Sequence, residues 1–228
     1  MTKSEFSQFE RHIQWLEVTD STNLDIRRRL PELDNLSVIA ARFQTAGRGQ
    51  GSHTWLSPAG ENLTFSVLLR FGGNSLKPLA ASEAVRITQV ATVSMLAFLK
   101  SEGVRARIKW PNDVWVGDRK ICGMLIENIL EGAELSESIV GIGLNLNQLA
   151  FDPALPNPVS LRQLTGREYD PSEGLLRLYK EICRHAEKLN SDDGRLELEK
   201  VFCENLFHLD ESARTKLEGA IADFEARR

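Results

Sequence analysis

Several features that would place the chain in a large class of proteins are scarce or missing. It has three cysteines, Cys122, Cys183 and Cys203. The number is odd and the spacing suits no metal, which excludes a disulfide framework or a thiolate zinc site and fits a reducing cytoplasm. No run approaches the ~18 apolar residues of a membrane span, and the opening residues hold no apolar stretch of the kind that directs secretion. A cytoplasmic protein without membrane contact is the expectation. Positive charge is not in excess: 28 Lys+Arg stand against 32 Asp+Glu, a net charge of -4, so nucleic acid is not an expected partner. Internal repeats and low-complexity stretches are absent. What is present, 228 residues with 42% hydrophobic and 26% charged, is an ordinary globular composition with chain enough for a full-sized core.

Hydrophobic periodicity divides the chain at residues 151–158, where Pro153, Pro156 and Pro158 demand a loop because proline feeds neither helix nor ladder. Before that loop, short strand patterns dominate: residues 12–18, 37–44 and 63–70. A short basic helix follows the cap-forming run Thr19-Asp20-Ser21-Thr22-Asn23. Residues 81–100 are apolar nearly all round and read as a helix packed on a sheet. Val104, Ala106, Ile108 and Trp110 alternate with Arg105, Arg107 and Lys109. Residues 113–116 and 119–128 form a hairpin closed by Gly117-Asp118. Residues 138–147 alternate most cleanly, with Gly141, Gly143, Asn145 and Asn147 on one side. After the loop, residues 171–189 and 194–206 are helical. Hairpin-linked strands with grouped helices predict an α+β domain with a mainly antiparallel sheet.

Three segments carry chemistry. Residues 44–55, QTAGRGQGSHTW, place three glycines at alternate positions around one arginine. Such a loop brings backbone amides and one fixed cation to an anion, or is simply a surface loop. It is neither a P-loop nor a dinucleotide fingerprint, because no Gly-Lys-Ser/Thr and no βαβ unit accompany it. Next, Lys109, Asn112 and Asp113 lie where Pro111 breaks a strand, and Lys120 follows the hairpin turn in an apolar run. That lysine either snorkels to solvent or pairs with an anion. Strict alternation sets Lys120 and Gly123 on opposite faces, so a shared ligand contact requires a bulge. Third, Gly141-x-Gly143-x-Asn145 lacks side chains at two successive positions, leaving room for a flat apolar ligand or for a closely packed helix.

Together these segments resemble the biotin–protein ligase family. The most specific part is Lys-Trp-Pro-Asn-Asp at 109–113, followed eleven residues after its lysine by Lys120 in Arg-Lys-x-x-Gly. The resemblance runs from about residue 12 to residue 210. It implies a fold like that of the class II aminoacyl-tRNA synthetases, with a mixed, mainly antiparallel sheet. It also implies two half-reactions: biotin and MgATP give biotinyl-5′-AMP and pyrophosphate, and biotin then passes to a lysine of a biotin carboxyl carrier domain. By the same resemblance, Arg48, Lys120 and Lys109 are catalytic. Ser21, Thr22, Asn23, Gln44, Arg48, Gly49, Gln50, Lys120, Gly123, Leu125, Gly141, Gly143 and Asn145 bind biotin. Arg48, Trp55, Lys109, Asn112 and Asp113 serve ATP, with Asp113 also at Mg²⁺. A homodimer is a further implication.

Two departures from the family pattern stand out. Arg48 is the only arginine in a loop that holds several in many members. Residues 1–207 read as the catalytic domain and 208–228 as a remnant or beginning of the small C-terminal barrel, with Leu217, Ile221 and Phe224 at helical spacing and no room for a DNA-binding headpiece. The alternatives are a lipoate ligase or octanoyltransferase, for which Cys122 would form a thioester, and a catalytically impaired biotin-binding module. Cys122, Cys183 and Cys203 are otherwise packing residues. His12, His185 and His208 show no metal spacing, and His53 is an exposed loop histidine or a phosphate contact. Trp15, Trp110 and Trp115 belong to core or sheet, and Arg27-Arg28-Arg29 to a solvated helix face or an acceptor contact.

Overall fold

The structure, a computed structural model, describes residues 9–207 apart from residues 52 and 74. Its eight strands are β1 (Ile13–Thr19), β2 (Val38–Gln44), β3 (Leu63–Arg70), β4 (Leu79–Ala80), β5 (Arg107–Lys109), β6 (Asp113–Val116), β7 (Arg119–Glu131) and β8 (Glu134–Leu144). The helices are α1 (Thr22–Arg28), α2 (Val85–Ser101), α3 (Leu161–Thr165), α4 (Pro171–Glu187) and α5 (Asp192–Glu204). One sheet runs in the order β1-β2-β3-β8-β7-β6-β5, with β4 paired to β8. Only β1 and β2 are parallel; every other named pair is antiparallel. The expected α+β class and mainly antiparallel sheet are what is found.

Alternation along the central strands sorts side chains to two unequal faces. Phe65, Val67 and Leu69 of β3 and Val140, Ile142 and Leu144 of β8 join the main core. That core is completed by α2, which packs on α4 and α5. The other face carries a small apolar cluster of Ile26, Ile39, Leu68 and Ile139 under α1. Beyond it lie Thr64 and Ser66 opposite Gly143 and Gly141. Covered by loops rather than long helices, this second face is where a ligand has room.

Several boundaries moved. The long apolar run starts its α-helix at Val85, after a 3-10 turn at Ala81–Glu83. Trp110 does not continue the buried stripe of Ile108. The strand ends at Lys109, because Pro111 cannot extend a ladder, and Trp110 is 60% exposed, edge-on to Phe202. Ser21 occupies the cap position of α1 but makes no side-chain cap bond. Asp170 does cap α4, accepting from the amides of Ser172 and Glu173 ahead of Pro171 in the first turn. Ser160 and Gln163 form a reciprocal capping box on α3. Residues 208–228, with His208 and the helical spacing of Leu217, Ile221 and Phe224, lie outside the described residues. Among those described, no helix is long and apolar enough to cross a membrane.

His185 joins α4 to α2. Ser94 gives its hydroxyl proton to the Val90 carbonyl, so the imidazole Nδ1–H donates to Ser94 Oγ at 3.0 Å, and Nε2 accepts from Arg184 at 2.9 Å. This arrangement holds the neutral ring. Burial, then the Arg184 charge, lowers the pKa from 6.5 to about 4. Between those values the unfolded chain binds the proton and the folded chain does not, so stability falls as pH drops from about 6.5 to about 4. Urea midpoints across that window should show a loss of about 2–3 kcal/mol that His185→Gln reduces. Identical pH profiles for the two chains would remove His185 from this role.

Candidate functional site

Three floor strands, α1 and the glycine loop enclose a cavity of about 480 Å³, within the size range of small-ligand sites. All seventeen residues expected from the sequence, from Ser21 to Asn145, line it: Ser21, Thr22, Asn23, Gln44, Arg48, Gly49, Gln50, Trp55, Lys109, Asn112, Asp113, Lys120, Gly123, Leu125, Gly141, Gly143 and Asn145. The structure brings them to one place but distributes them between two ends.

At one end is a buried polar chain. Gln44 Oε1 accepts from the Thr22 amide at 2.8 Å, and Thr22 Oγ1 lies 2.7 Å from Ser66 Oγ. Ser66 donates to Asn23 Oδ1 at 2.5 Å, while Asn23 Nδ2 donates to Glu127 Oε2 at 2.8 Å and to the Leu125 carbonyl at 3.3 Å. Asn23 is therefore an internal strut with its amide committed to protein. It also explains Gly141, where an added Cβ would overlap Asn23 Oδ1.

At the other end, β7 carries a bulge. Val114 and Trp115 are consecutive on β6, yet they pair with Cys122 and Lys120, leaving Ile121 as the extra residue. The extra residue reverses the parity of everything before it. Lys120 thus shares the cavity face with Gly123, where a Cβ would lie 3.1 Å from Lys120 Nζ. Asp113 pairs with Lys120 at 2.8 Å. Asn112 gives its amide to the Met124 carbonyl, and Asn145 donates to the carbonyls of Val159 and Lys120. Both asparagines therefore brace the walls. Lys109 Nζ stands over the Trp115 ring, 3.9 Å from its centroid.

The glycine loop is ordered by its own backbone. Gly49 N–H donates to the His53 carbonyl at 2.8 Å and Trp55 N–H to the Gly47 carbonyl at 3.0 Å, with Arg48 bridged to Thr54. Gly47 admits this pairing because a Cβ there would overlap the Trp55 carbonyl, and Gly51 turns at φ +64. The closed loop lays the Trp55 indole on Gly143 and against Gly123. In this state Trp55 itself covers the side-chain-free trough that the sequence suggested for a flat ligand. Its buried Nε1 has no hydrogen-bond partner.

Two residues went unnoticed in the sequence. Ser66 is fully buried; its signal was a hydroxyl at the period of Thr64 in an apolar strand. Glu127 binds Arg48 at 3.2 Å and approaches Arg27 at 3.5 Å; its signal was a carboxylate two residues past Leu125 in an apolar run. Arg48 and Lys120, expected to act together, line the same cavity and pair with different carboxylates, Glu127 and Asp113. The basic run of α1 is largely neutralised locally. Arg28 spans Asp20 and Asp25 and holds the Asp20 carboxyl well below the usual carboxylate range, while Arg29 meets Glu32.

Cys122 is excluded as a nucleophile. It is fully buried, belongs to the main core, and burial pushes its thiol far above the ordinary range. Iodoacetamide should leave it unmodified in the folded chain, and Cys122→Ala should keep any catalytic rate within about threefold, since the thiolate is the reactive form. Rapid native-state alkylation together with loss of turnover would reinstate the thioester. Among the described residues no cluster of three or more His, Cys, Asp or Glu is placed to hold a metal.

Comparison with known proteins gives a consistent result. Residues 15–145, more than half of the chain, match the model of the biotin/lipoate A/B protein ligase family. A biotin–[acetyl-CoA-carboxylase] ligase of Paracoccus denitrificans is 35% identical over 161 residues, covering 69% of this chain and 65% of that protein. The bifunctional ligase/repressor BirA of Escherichia coli is 31% identical over 143 residues, covering 62% and 43%. The chain thus spans less than two thirds of either relative's length. Among solved structures, a biotin protein ligase from Aquifex aeolicus in complex with biotin and ATP aligns with a TM-score of 0.71 at 27% identity, covering 86% of this chain and 79% of that one.

Proposed function

Because the chain belongs to the biotin/lipoate A/B protein ligase family, we propose that it is a biotin–protein ligase. The supporting observation is that one cavity joins a hydrogen-bonding cap at Thr22 and Gln44, a floor without side chains at Gly141 and Gly143, and the cation Lys120 at the far end. A bicyclic urea with an apolar tail ending in a carboxylate has that order of groups.

In the first step a biotin carboxylate oxygen attacks the α-phosphorus of ATP. The bond to the β-phosphate oxygen breaks, and pyrophosphate leaves biotinyl-5′-AMP. Two anions must approach to about 4 Å, a repulsion of about 4 kcal/mol at an effective dielectric near 20. Lys120 offsets it by exchanging Asp113 for the approaching oxyanions, starting from a position beside Gly123 that the Asp113 pair already fixes. Lys109, braced on Trp115, adds a second cation at the nucleotide side. The Trp55 indole leaves the trough and packs on adenine, with Asn112 shaping the same wall. Ser21, Gln50 and the Gly49 backbone close the biotin end. In the second step a lysine ε-amine attacks the mixed-anhydride carbonyl, AMP leaves, an amide forms and a proton is released.

A magnesium ion fits only as a companion of ATP. Among the described residues, Asp113 is the one carboxylate lining the cavity, which suits an ion held mainly by phosphates and water. Bound there, it would neutralise phosphate charge. The acceptor is a biotin carboxyl carrier domain and the compartment is the cytoplasm. A homodimer through a sheet edge would use β1, because Leu206 and Phe207 run along β5.

Biotin, MgATP and an apo carrier domain incubated with the chain should yield pyrophosphate and a carrier heavier by one biotinyl group. Turnover with lipoate in place of biotin would favour the lipoate-ligase alternative. Tight biotin binding without pyrophosphate would favour the impaired binding module.

A further inference from the structure

We propose that Glu127 is a positioning residue that anchors the glycine loop through Arg48, so that the Arg48 guanidinium serves as a strut and not as an anion receptor. The inference rests on the ligase reading for its kinetic part alone.

Glu127, on β7, has partners on α1 and one on the loop. Its Oε2 accepts from Asn23, which is fixed by Ser66 and the Leu125 carbonyl. Its Oε1 accepts from Arg48 at 3.2 Å, and Arg27 flanks the same oxygen at 3.5 Å. Side-chain exposure of Glu127 is 18% against 43% for Arg48, so the carboxylate is the seated member and the guanidinium the one brought to it. Arg48 opens the loop's short backbone pairing, opposite Thr54 and next to Trp55. Fixing its side chain therefore fixes the stem of the loop and the indole that lies on Gly143.

Distance separates this role from charge neutralisation. Glu127 stands four positions along β7 from Gly123, the neighbour of Lys120 Nζ. At about 3.3 Å per residue, that is about 13 Å, beyond the ~8 Å over which exposed charges act at physiological salt. While paired to Glu127, Arg48 contributes little to an anion at Lys120.

The two roles predict opposite signs. If Arg48 were the anion receptor, Glu127 would compete with the ligand, and Glu127→Gln would lower the KM for biotin. If Arg48 is a strut, the same change loosens the loop and raises it. The experiment compares the native chain, Glu127→Gln, Arg48→Gln and the double variant. Glu127→Gln keeps an acceptor for Asn23, and Arg48→Gln alters only a loop side chain. Hydrogen exchange of the Gly49 and Trp55 amides, without ligand, should quicken about tenfold in each single variant and no further in the double, the signature of one shared interaction. With biotin and MgATP, each single variant should raise the KM for biotin about tenfold, an effect falling on KM far more than on kcat. Unchanged exchange in Glu127→Gln, additive losses in the double variant, or a lowered biotin KM would overturn the proposal. Should the native chain release no pyrophosphate at all, the ligase reading fails while the exchange comparison still decides the strut.

Discussion

Lys120→Met is expected to slow biotin-dependent pyrophosphate release by about 100- to 1000-fold while changing the unfolding free energy by less than about 1 kcal/mol. The rate loss corresponds to about 3–4 kcal/mol of transition-state stabilisation, in line with removing a preorganised cation from a place where anionic charge gathers. The small stability change follows from the exposure of the pair: Lys120 and Asp113 side chains are 31% and 26% accessible, so much of their attraction is already screened. Lys120→Arg should restore only part of the rate, because a planar fork does not occupy the position of a compact ammonium beside Gly123. Single-turnover measurement at saturating biotin and ATP separates this from weakened binding. A Lys120→Met rate within threefold of the native chain would remove the residue from the chemical step.

The second large effect is on stability and contrasts two glycines of one strand. Gly141→Ala should cost about 2–4 kcal/mol, because the new methyl must displace Asn23 and break a network whose members are buried. Ser66, Leu125 and Glu127 would each lose a partner. Gly143→Ala first meets the Trp55 indole, which belongs to a loop and can withdraw. Its cost should stay within about 1 kcal/mol, and its effect should appear as altered ligand KM. Urea unfolding of the two variants tests the pair directly, and equal midpoints would show that Asn23 is not rigidly held.

The fold was legible where one face of an element is buried. Residues 63–70 and the 113–116 hairpin strand were bounded correctly because alternation and the Gly117-Asp118 turn leave little choice. Trp110 was misplaced because an apolar residue in register looks identical whether the strand continues or stops. The site residues were gathered by resemblance, and their convergence on one cavity is visible only in three dimensions. Lys120 shows why. Its parity depends on a bulge at Ile121, and an extra residue leaves no compositional trace in an apolar strand. Asn23 and Glu127 are a second case: the contact joins residues 104 apart in sequence, and one chain read alone cannot pair them.

The unequal loading of the sheet also determines where the chain is free to drift. Most apolar side chains lie between the sheet and α2, α4 and α5, and exchanges there draw on a margin of only about 5–15 kcal/mol. The glycine loop lies on the opposite face, outside that core, so exchange of its exposed side chains draws little on that margin. Persistence of the fold and choice of ligand are thus written in largely separate sets of residues. Descendants of such a chain can change what they accept while inheriting the same sheet.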